Sequence, residues 1–173
     1  MPARVTLAVV ATLSVVGATA CAEEQPAALE ERATVRWVAD GDSLVLEKGS
    51  RIRLLQIDAP ELGQGECFGR EALEALQLLL QPGDKVVLEA DSRLDRVDRH
   101  GRLLRYVHSV GTNLNLELVR RGAATPYFTR GEQGRYAEAL LAEAQDARDE
   151  HRGLWGECSV TWDPRRQVET RYR

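Results

Sequence analysis

Lysine is nearly missing from this chain of 173 residues: Lys48 and Lys85 are the only two. Positive charge is carried by arginine instead. Its planar fork suits phosphate better than an ammonium does, although that bias by itself decides nothing. A surplus of positive charge is also missing, because the formal net charge is -4. This excludes a protein that coats nucleic acid through bulk charge. It leaves room for an enzyme with a local positive site, where a bound divalent cation adds charge that the count omits. No apolar run reaches the ~20 residues of an ordinary membrane span. No cysteine spacing suits zinc. There is no internal repeat and no low-complexity tract beyond an Ala- and Glu-rich stretch near the start. With 43% hydrophobic and 29% charged residues, what remains reads as one globular domain with its own core.

The first residues read as a targeting segment. Arg4 gives a positive start, Val5 to Val16 is apolar, and Ala18-Thr19-Ala20 fits small-residue cleavage, so residues 1–20 are expected to be a signal peptide. Gly17-Ala18-Thr19-Ala20-Cys21 resembles a bacterial lipoprotein signal, with Cys21 as the lipidated residue, although Ala18 stands where such signals usually carry Leu. The mature protein is therefore expected outside the cytoplasm, as a membrane-anchored lipoprotein or a secreted protein. Membrane contact is expected only through Cys21. If Cys21 carries lipid, Cys67 and Cys158 remain as a pair that an oxidising compartment allows to bond. Such a bond would close a loop of roughly 90 residues, worth about 4 to 5 kcal/mol in the chain-entropy model. Residues 21–33 read as a solvated tether, 34–158 as the domain, and 159–173 as a basic C-terminal tail with a frayed end.

Strand-like alternation begins at Thr34. Val35, Trp37 and Ala39 share one face, and Asp40-Gly41 is a hairpin signal. Leu44 and Leu46 alternate after it, Lys48-Gly49-Ser50 turns again, and 52–57 reads as a third strand stopped by Pro60. A helix is expected after Gly69, with Ala72, Leu73, Leu76, Leu79 and Leu80 on one face and Pro82-Gly83 ending it. Lys85–Ala90 and Leu103–Val110 read as further strands. Thr112-Asn113 is placed to cap a short helix running to Arg121, which Gly122 ends. A last helix is expected over 132–148. Five short strands with about three helices fit an α+β class that is mainly β, a five-stranded Greek-key barrel of the OB type.

The chemistry-bearing residues fall in three segments. Asp42 follows a hairpin turn and Asp58 ends a neighbouring strand, so a meander can bring both carboxylates to one hard cation. Glu61 lies three residues beyond Asp58, after a proline that fixes the local backbone, and could act as a base on water. Arg53 projects from the strand that ends at Asp58, and Arg102 opens another. Each residue has a plainer reading alone. Asp-Gly is ordinary turn chemistry, Glu61 suits the first turn of a helix, and the interleaved run from Asp91 to Arg102 suits an exposed charged loop. His108 and His151 stand apart from the other groups and read as structural or solvated.

The order of the segments is more specific than any of them. Asp40-Gly41-Asp42-Ser43, then Arg53-Leu54-Leu55-Gln56-Ile57-Asp58-Ala59-Pro60-Glu61, then Asp98-Arg99-His100-Gly101-Arg102 resembles the staphylococcal (thermo)nuclease family. The likeness continues through Leu118-Val119-Arg120-Arg121-Gly122-Ala123-Ala124 and Gly153-Leu154-Trp155. The resemblance implies an OB-fold barrel and calcium-dependent hydrolysis of DNA and RNA, single strands favoured, leaving 3′-phosphate ends. It implies Asp42, Asp58 and the backbone of Ala59 as calcium ligands, and Arg53, Glu61 and Arg102 as catalytic residues. Arg99 and Tyr127 are the expected substrate contacts, with Tyr127 and Phe128 one register apart as alternatives for a stacking aromatic. The segment between Glu61 and the first helix is shorter than in the type enzyme and contains Cys67. No obligate protein partner is evident. The main rival is a noncatalytic OB-fold module that binds nucleic acid or a protein on the cell envelope. Retention of Glu61 and both arginines argues against it. A structural envelope lipoprotein is supported only by Cys21.

Overall fold

The computed structural model describes residues 29–173; the expected signal peptide, Cys21 and the first part of the expected tether lie outside them. The elements run β1 (Leu29–Asp40), β2 (Ser43–Leu46), β3 (Arg51–Leu54), β4 (Ile57–Asp58), α1 (Gly69–Leu79), β5 (Lys85–Ala90), β6 (Leu103–Ser109), β7 (Thr112–Asn113), α2 (Leu114–Arg120), β8 (Thr125–Pro126), α3 (Ala137–Asp149), a single turn α4 (Leu154–Glu157), β9 (Cys158–Thr161) and β10 (Glu169–Tyr172).

The barrel is built by one long strand serving two partners. The first half of β1 pairs antiparallel with β5, from Leu29 opposite Ala90 to Thr34 opposite Lys85. Its second half pairs with β2, from Val35 opposite Leu46 to Asp40 opposite Ser43, with register shifts at Val35/Trp37 and Val38/Asp40 that bend it. The sheet order β3-β2-β1-β5-β6 closes on itself through a parallel pairing of β3 with β6, Ile52 opposite Leu103. The result is a closed, five-stranded mixed barrel with three helices, the OB-like α+β fold expected above. Val35, Leu44, Ile52, Leu54, Val86, Leu88 and Val107 are buried in one cluster with Ala72 and Leu76 of α1, Leu118 of α2, and Leu140 and Ala144 of α3. Among the described residues no helix is long and apolar enough to cross a membrane.

Three boundaries differ from the sequence reading, each for a physical reason. Residues 29–33 are not tether but the outer end of β1, paired to β5. Their Glu, Arg and Ala composition hides a strand whose partner is some 60 residues away in sequence. The third strand ends at Leu54, because Gln56 takes a left-handed conformation with φ 61 and no alternation survives such a residue. The Leu55 carbonyl leaves the sheet and accepts a hydrogen bond from the fully buried Asn115 side chain. The last helix starts at Ala137 rather than 132; the Gly134 N–H is taken by the Gln56 side chain, 78 residues earlier.

The C-terminal segment corrects the fourth expectation. Residues 159–173 are not a frayed tail. β9 and β10 form an antiparallel hairpin, Glu169 opposite Thr161 and Tyr172 opposite Cys158. Cys67 and Cys158 are joined by a disulfide that spans 91 residues of sequence. Trp162 donates its indole N–H to the Pro126 carbonyl at 2.9 Å, and the Thr170 hydroxyl donates to the Cys67 carbonyl at 2.7 Å.

Candidate active site

Arg53 organises the site. It sits on β3 with only 9% of its surface exposed. One terminal nitrogen, Nη1, donates to the Leu54 carbonyl at 2.9 Å and the Ile57 carbonyl at 2.6 Å, holding the chain as it turns off the strand. The other, Nη2, lies 2.9 Å from Asp42 Oδ2 and 2.7 Å from Asp58 Oδ1. Two carboxylates from different elements thus converge on one guanidinium nitrogen.

Each carboxylate is placed by its own element. Asp42 stands in the β1–β2 turn, where its carbonyl accepts from the Leu54 N–H. Its Oδ1 accepts from the Ser43 hydroxyl at 2.8 Å and its Oδ2 from the Ala59 N–H at 3.1 Å. The preceding Gly41 is demanded by packing: a Cβ there would lie 2.8 Å from the Cβ atoms of Ala59 and of Ala72. The Asp-Gly-Asp turn therefore lets α1 and the Asp58–Ala59 segment close on it. Asp58 belongs to β4, which pairs with β8, Asp58 opposite Thr125. Its second oxygen, Oδ2, accepts from the Val168 N–H at 2.9 Å.

Negative charge exceeds positive here. Burial pushes the Asp58 carboxyl above its ordinary value; Arg53 opposes this and Asp42 adds to it. Glu61 is half-buried and is pushed up to about 7, first by burial, then by a shared hydrogen bond with Asp40 and by the charges of Asp40 and Asp42, with Arg53 again opposing. Two carboxylates touch the one guanidinium, and Glu61, beside Asp40, lies within range of its charge.

Arg102 approaches from β6's leading edge. Its N–H and Nε donate to the two oxygens of Asp98, at 2.9 and 2.6 Å, and its Nη1 lies 3.5 Å from the Ser43 hydroxyl. Burial works against ionisation of Asp98, but hydrogen bonds from Arg102 and the His100 N–H hold it below the usual carboxylate range. Arg53, Glu61 and Arg102 line one cleft of about 510 Å³. Arg99 and Tyr127 line it too. Phe128, the other register for the stacking aromatic, is 2% exposed and belongs to the core. His108 bonds Glu89 at 2.8 Å within a structural cluster, away from this cleft.

The donor set fits a hard cation. Carboxylate oxygens of Asp42 and Asp58 already converge on a positive nitrogen, and uncompensated acid surrounds them. Among the described residues no group of three or more His, Cys, Asp or Glu is arranged as a metal cluster. A cation here would have two protein carboxylates and, beside them, the Ala59 backbone, the remaining ligands coming from water or substrate.

Residues 51–157 match the family model described as staphylococcal nuclease homologue. The chain belongs to this family. An uncharacterized endonuclease of Escherichia coli O157:H7 is 36% identical over 125 residues, which cover 70% of this chain and 74% of that protein. Endonuclease YhcR of Bacillus subtilis (strain 168) is 32% identical over 157 residues, 78% of this chain but only 12% of that protein. An uncharacterized endonuclease of Haemophilus influenzae is 34% identical over 126 residues, 69% of this chain and 64% of that protein. The family match takes in Arg53, Asp58, Glu61 and Arg102 and begins after Asp42.

Four residues at or beside the cleft escape a reading of the sequence. Asp40 reads as a turn residue. Gln56 reads as a strand residue; it joins the cleft wall by donating to the Glu132 carbonyl and accepting from Tyr106 and Gly134. Gln167 and Val168 read as tail. Only Asp40 has a usable signal, since it stands two residues before Asp42 in the Asp-Gly-Asp turn and both charges act on Glu61.

Proposed function

We propose that the protein is an exported, calcium-dependent endonuclease that hydrolyses phosphodiester bonds of DNA and RNA and leaves 3′-phosphate ends. The observation that carries this reading is the Arg53 guanidinium held between Asp42 and Asp58 in the same cleft as Glu61 and Arg102. The names of the similar endonucleases point the same way. Asp42, Asp58 and the Ala59 backbone would hold calcium, which as a Lewis acid would withdraw charge from a phosphate oxygen.

The side chains supply the rest. Glu61 lines the cleft and orients a water, taking its proton as the oxygen attacks phosphorus. Arg53 donates to the phosphate oxygens, more strongly as charge builds on them. Arg102, held by Asp98, stabilises the 5′ oxygen as the P–O5′ bond breaks. That oxygen leaves as a hydroxyl once protonated from solvent, and the phosphate stays on the 3′ side. The half-buried Tyr127 lining the cleft suits a splayed single strand, whose bases can stack on it.

Export is supported by the leader-like start and by the Cys67–Cys158 disulfide, which suits an oxidising compartment. The intact mass of the exported protein distinguishes a diacylglyceryl group on Cys21 from a free mature N-terminus. The activity is tested with the full chain, disulfide intact, on single-stranded DNA and RNA, with calcium and with chelator. Cleavage is expected with calcium only, with Arg53→Ala slower by about 10²- to 10³-fold. Wild type no faster than Arg53→Ala would refute the enzyme reading.

A further inference from the structure

Asp58 is gripped from both sides by parts of the chain that sequence keeps far apart. Arg53 takes Oδ1, and the Val168 N–H, 110 residues away, takes Oδ2 at 2.9 Å. Val168 is 4% exposed, so water does not compete easily for this bond. The neighbouring Gln167 is exposed and lines the cleft, and its side chain favours the charged form of the same carboxylate. A carboxylate held at both oxygens has its plane fixed, whereas one held only by Arg53 can rotate about its own Cβ–Cγ axis.

The hairpin that delivers these donors is pinned beside the site. The disulfide ties its start to Cys67. Trp162 donates to the Pro126 carbonyl, and the Pro164 carbonyl accepts from the Phe128 N–H. The Thr170 hydroxyl ties its end to the Cys67 carbonyl. Pro126 lies on β8, the strand paired with Asp58's own. The strap and the carboxylate therefore share one rigid frame. None of residues 159–173 falls within the family match at 51–157.

We infer that the C-terminal hairpin is a positioning element of the active site, in which the Val168 N–H, assisted by Gln167, orients Asp58 as a cation ligand. The inference rests on the calcium reading above. Partners of metal ligands that act through hydrogen bonds are worth about 10- to 100-fold in affinity or activity.

The test is calcium titration by calorimetry on the full, disulfide-bonded chain, followed by kcat and KM on single-stranded DNA. Val168→Pro removes the N–H, Val168→Ala keeps it, and Gln167→Ala alters only an exposed side chain that cannot unfold the core. Val168→Pro is expected to bind calcium about 10-fold more weakly. Gln167→Ala should weaken it in the same direction, and Val168→Ala should match wild type. In both weakened variants kcat should fall while KM stays within about two-fold. Calcium affinity unchanged in Val168→Pro and Gln167→Ala overturns the inference, as does equal weakening by Val168→Ala. If the wild type cleaves nucleic acid yet binds no calcium, the metal reading fails. The variants' kcat then decides the strap alone, and wild-type values overturn it.

Discussion

Around Arg53 the chain buries Asp42 and Asp58, with Asp40 and Glu61 close by. Along and just past β5 it buries Glu89 and Asp91, 3% and 4% exposed. The second cluster is well supplied with donors. Glu89 accepts from Arg135 and the Tyr136 hydroxyl and bonds His108, all within 2.9 Å. Asp91 accepts from the N–H groups of Arg93 and Arg135 and from the Arg93 side chain. Burial alone would raise Asp91, yet these hydrogen bonds hold it below its ordinary value. In the first cluster the balance falls the other way, and Asp58 and Glu61 are both raised. A buried acid with its donors in place serves the fold. A buried acid left short of positive charge is a candidate to bind something that brings it.

The largest effect that separates the two clusters is expected from Glu61→Gln. Hydrolysis should fall by about 10²- to 10⁴-fold. The thermal midpoint should hold or rise, because the variant removes an acid whose ionised form the fold disfavours. A matching loss of stability would erase the contrast. Replacing Cys67 and Cys158 by serine is expected to cost about 4 to 5 kcal/mol in denaturant melts, and to loosen the hairpin that reaches Asp58. The comparison is sharpened if calcium stabilisation shrinks in that variant as well.

Glu89→Ala is expected to cost about 3 kcal/mol by removing the acceptor that Arg135, Tyr136 and His108 share. Activity per folded molecule should be unchanged, and a drop in kcat would place this cluster in the mechanism. The smallest effect is at low pH. Asp98 and Asp91 have folded values below the ordinary 3.8. Their stabilisation is present above that value and is lost as pH falls through the lower, folded one. Asp98→Asn should therefore flatten the acid limb of the stability curve. An unchanged acid limb would show that the Asp98–Arg102 pair adds nothing to folding.

Local patterns carried much of the fold. Lys85–Ala90 was legible to the residue because its alternation is bounded by Pro82-Gly83 and a polar loop. Thr112-Asn113 was legible as the capping pair, and of the two it is the Asn113 side chain that accepts from the N–H groups of Asn115 and Leu116. What escaped depends on distant partners. Residues 29–33 are a strand only because β5 lies beside them, and the hairpin at 158–172 is held by a disulfide and by bonds to Pro126 and Cys67. The site was legible as an order of motifs. The convergence of Asp42 and Asp58 on Arg53 needs the barrel, and the Val168 donor has no periodic trace in the sequence at all. Gln56 escaped because a left-handed glutamine has no local signature, and its side-chain partners Tyr106, Glu132 and Gly134 are 50 to 78 residues away in sequence.

The most direct test of the contrast is the thermal midpoint of the full, disulfide-bonded chain with and without calcium, for wild type, Asp42→Asn and Glu89→Gln. Ligand at about 100 times its dissociation constant stabilises by about 2.7 kcal/mol, which should raise the wild-type midpoint by roughly 5 to 10 °C. The rise is expected to persist in Glu89→Gln and to vanish in Asp42→Asn. No rise in wild type, or an equal rise in Asp42→Asn, would contradict the assignment of the Arg53 cluster as the cation site.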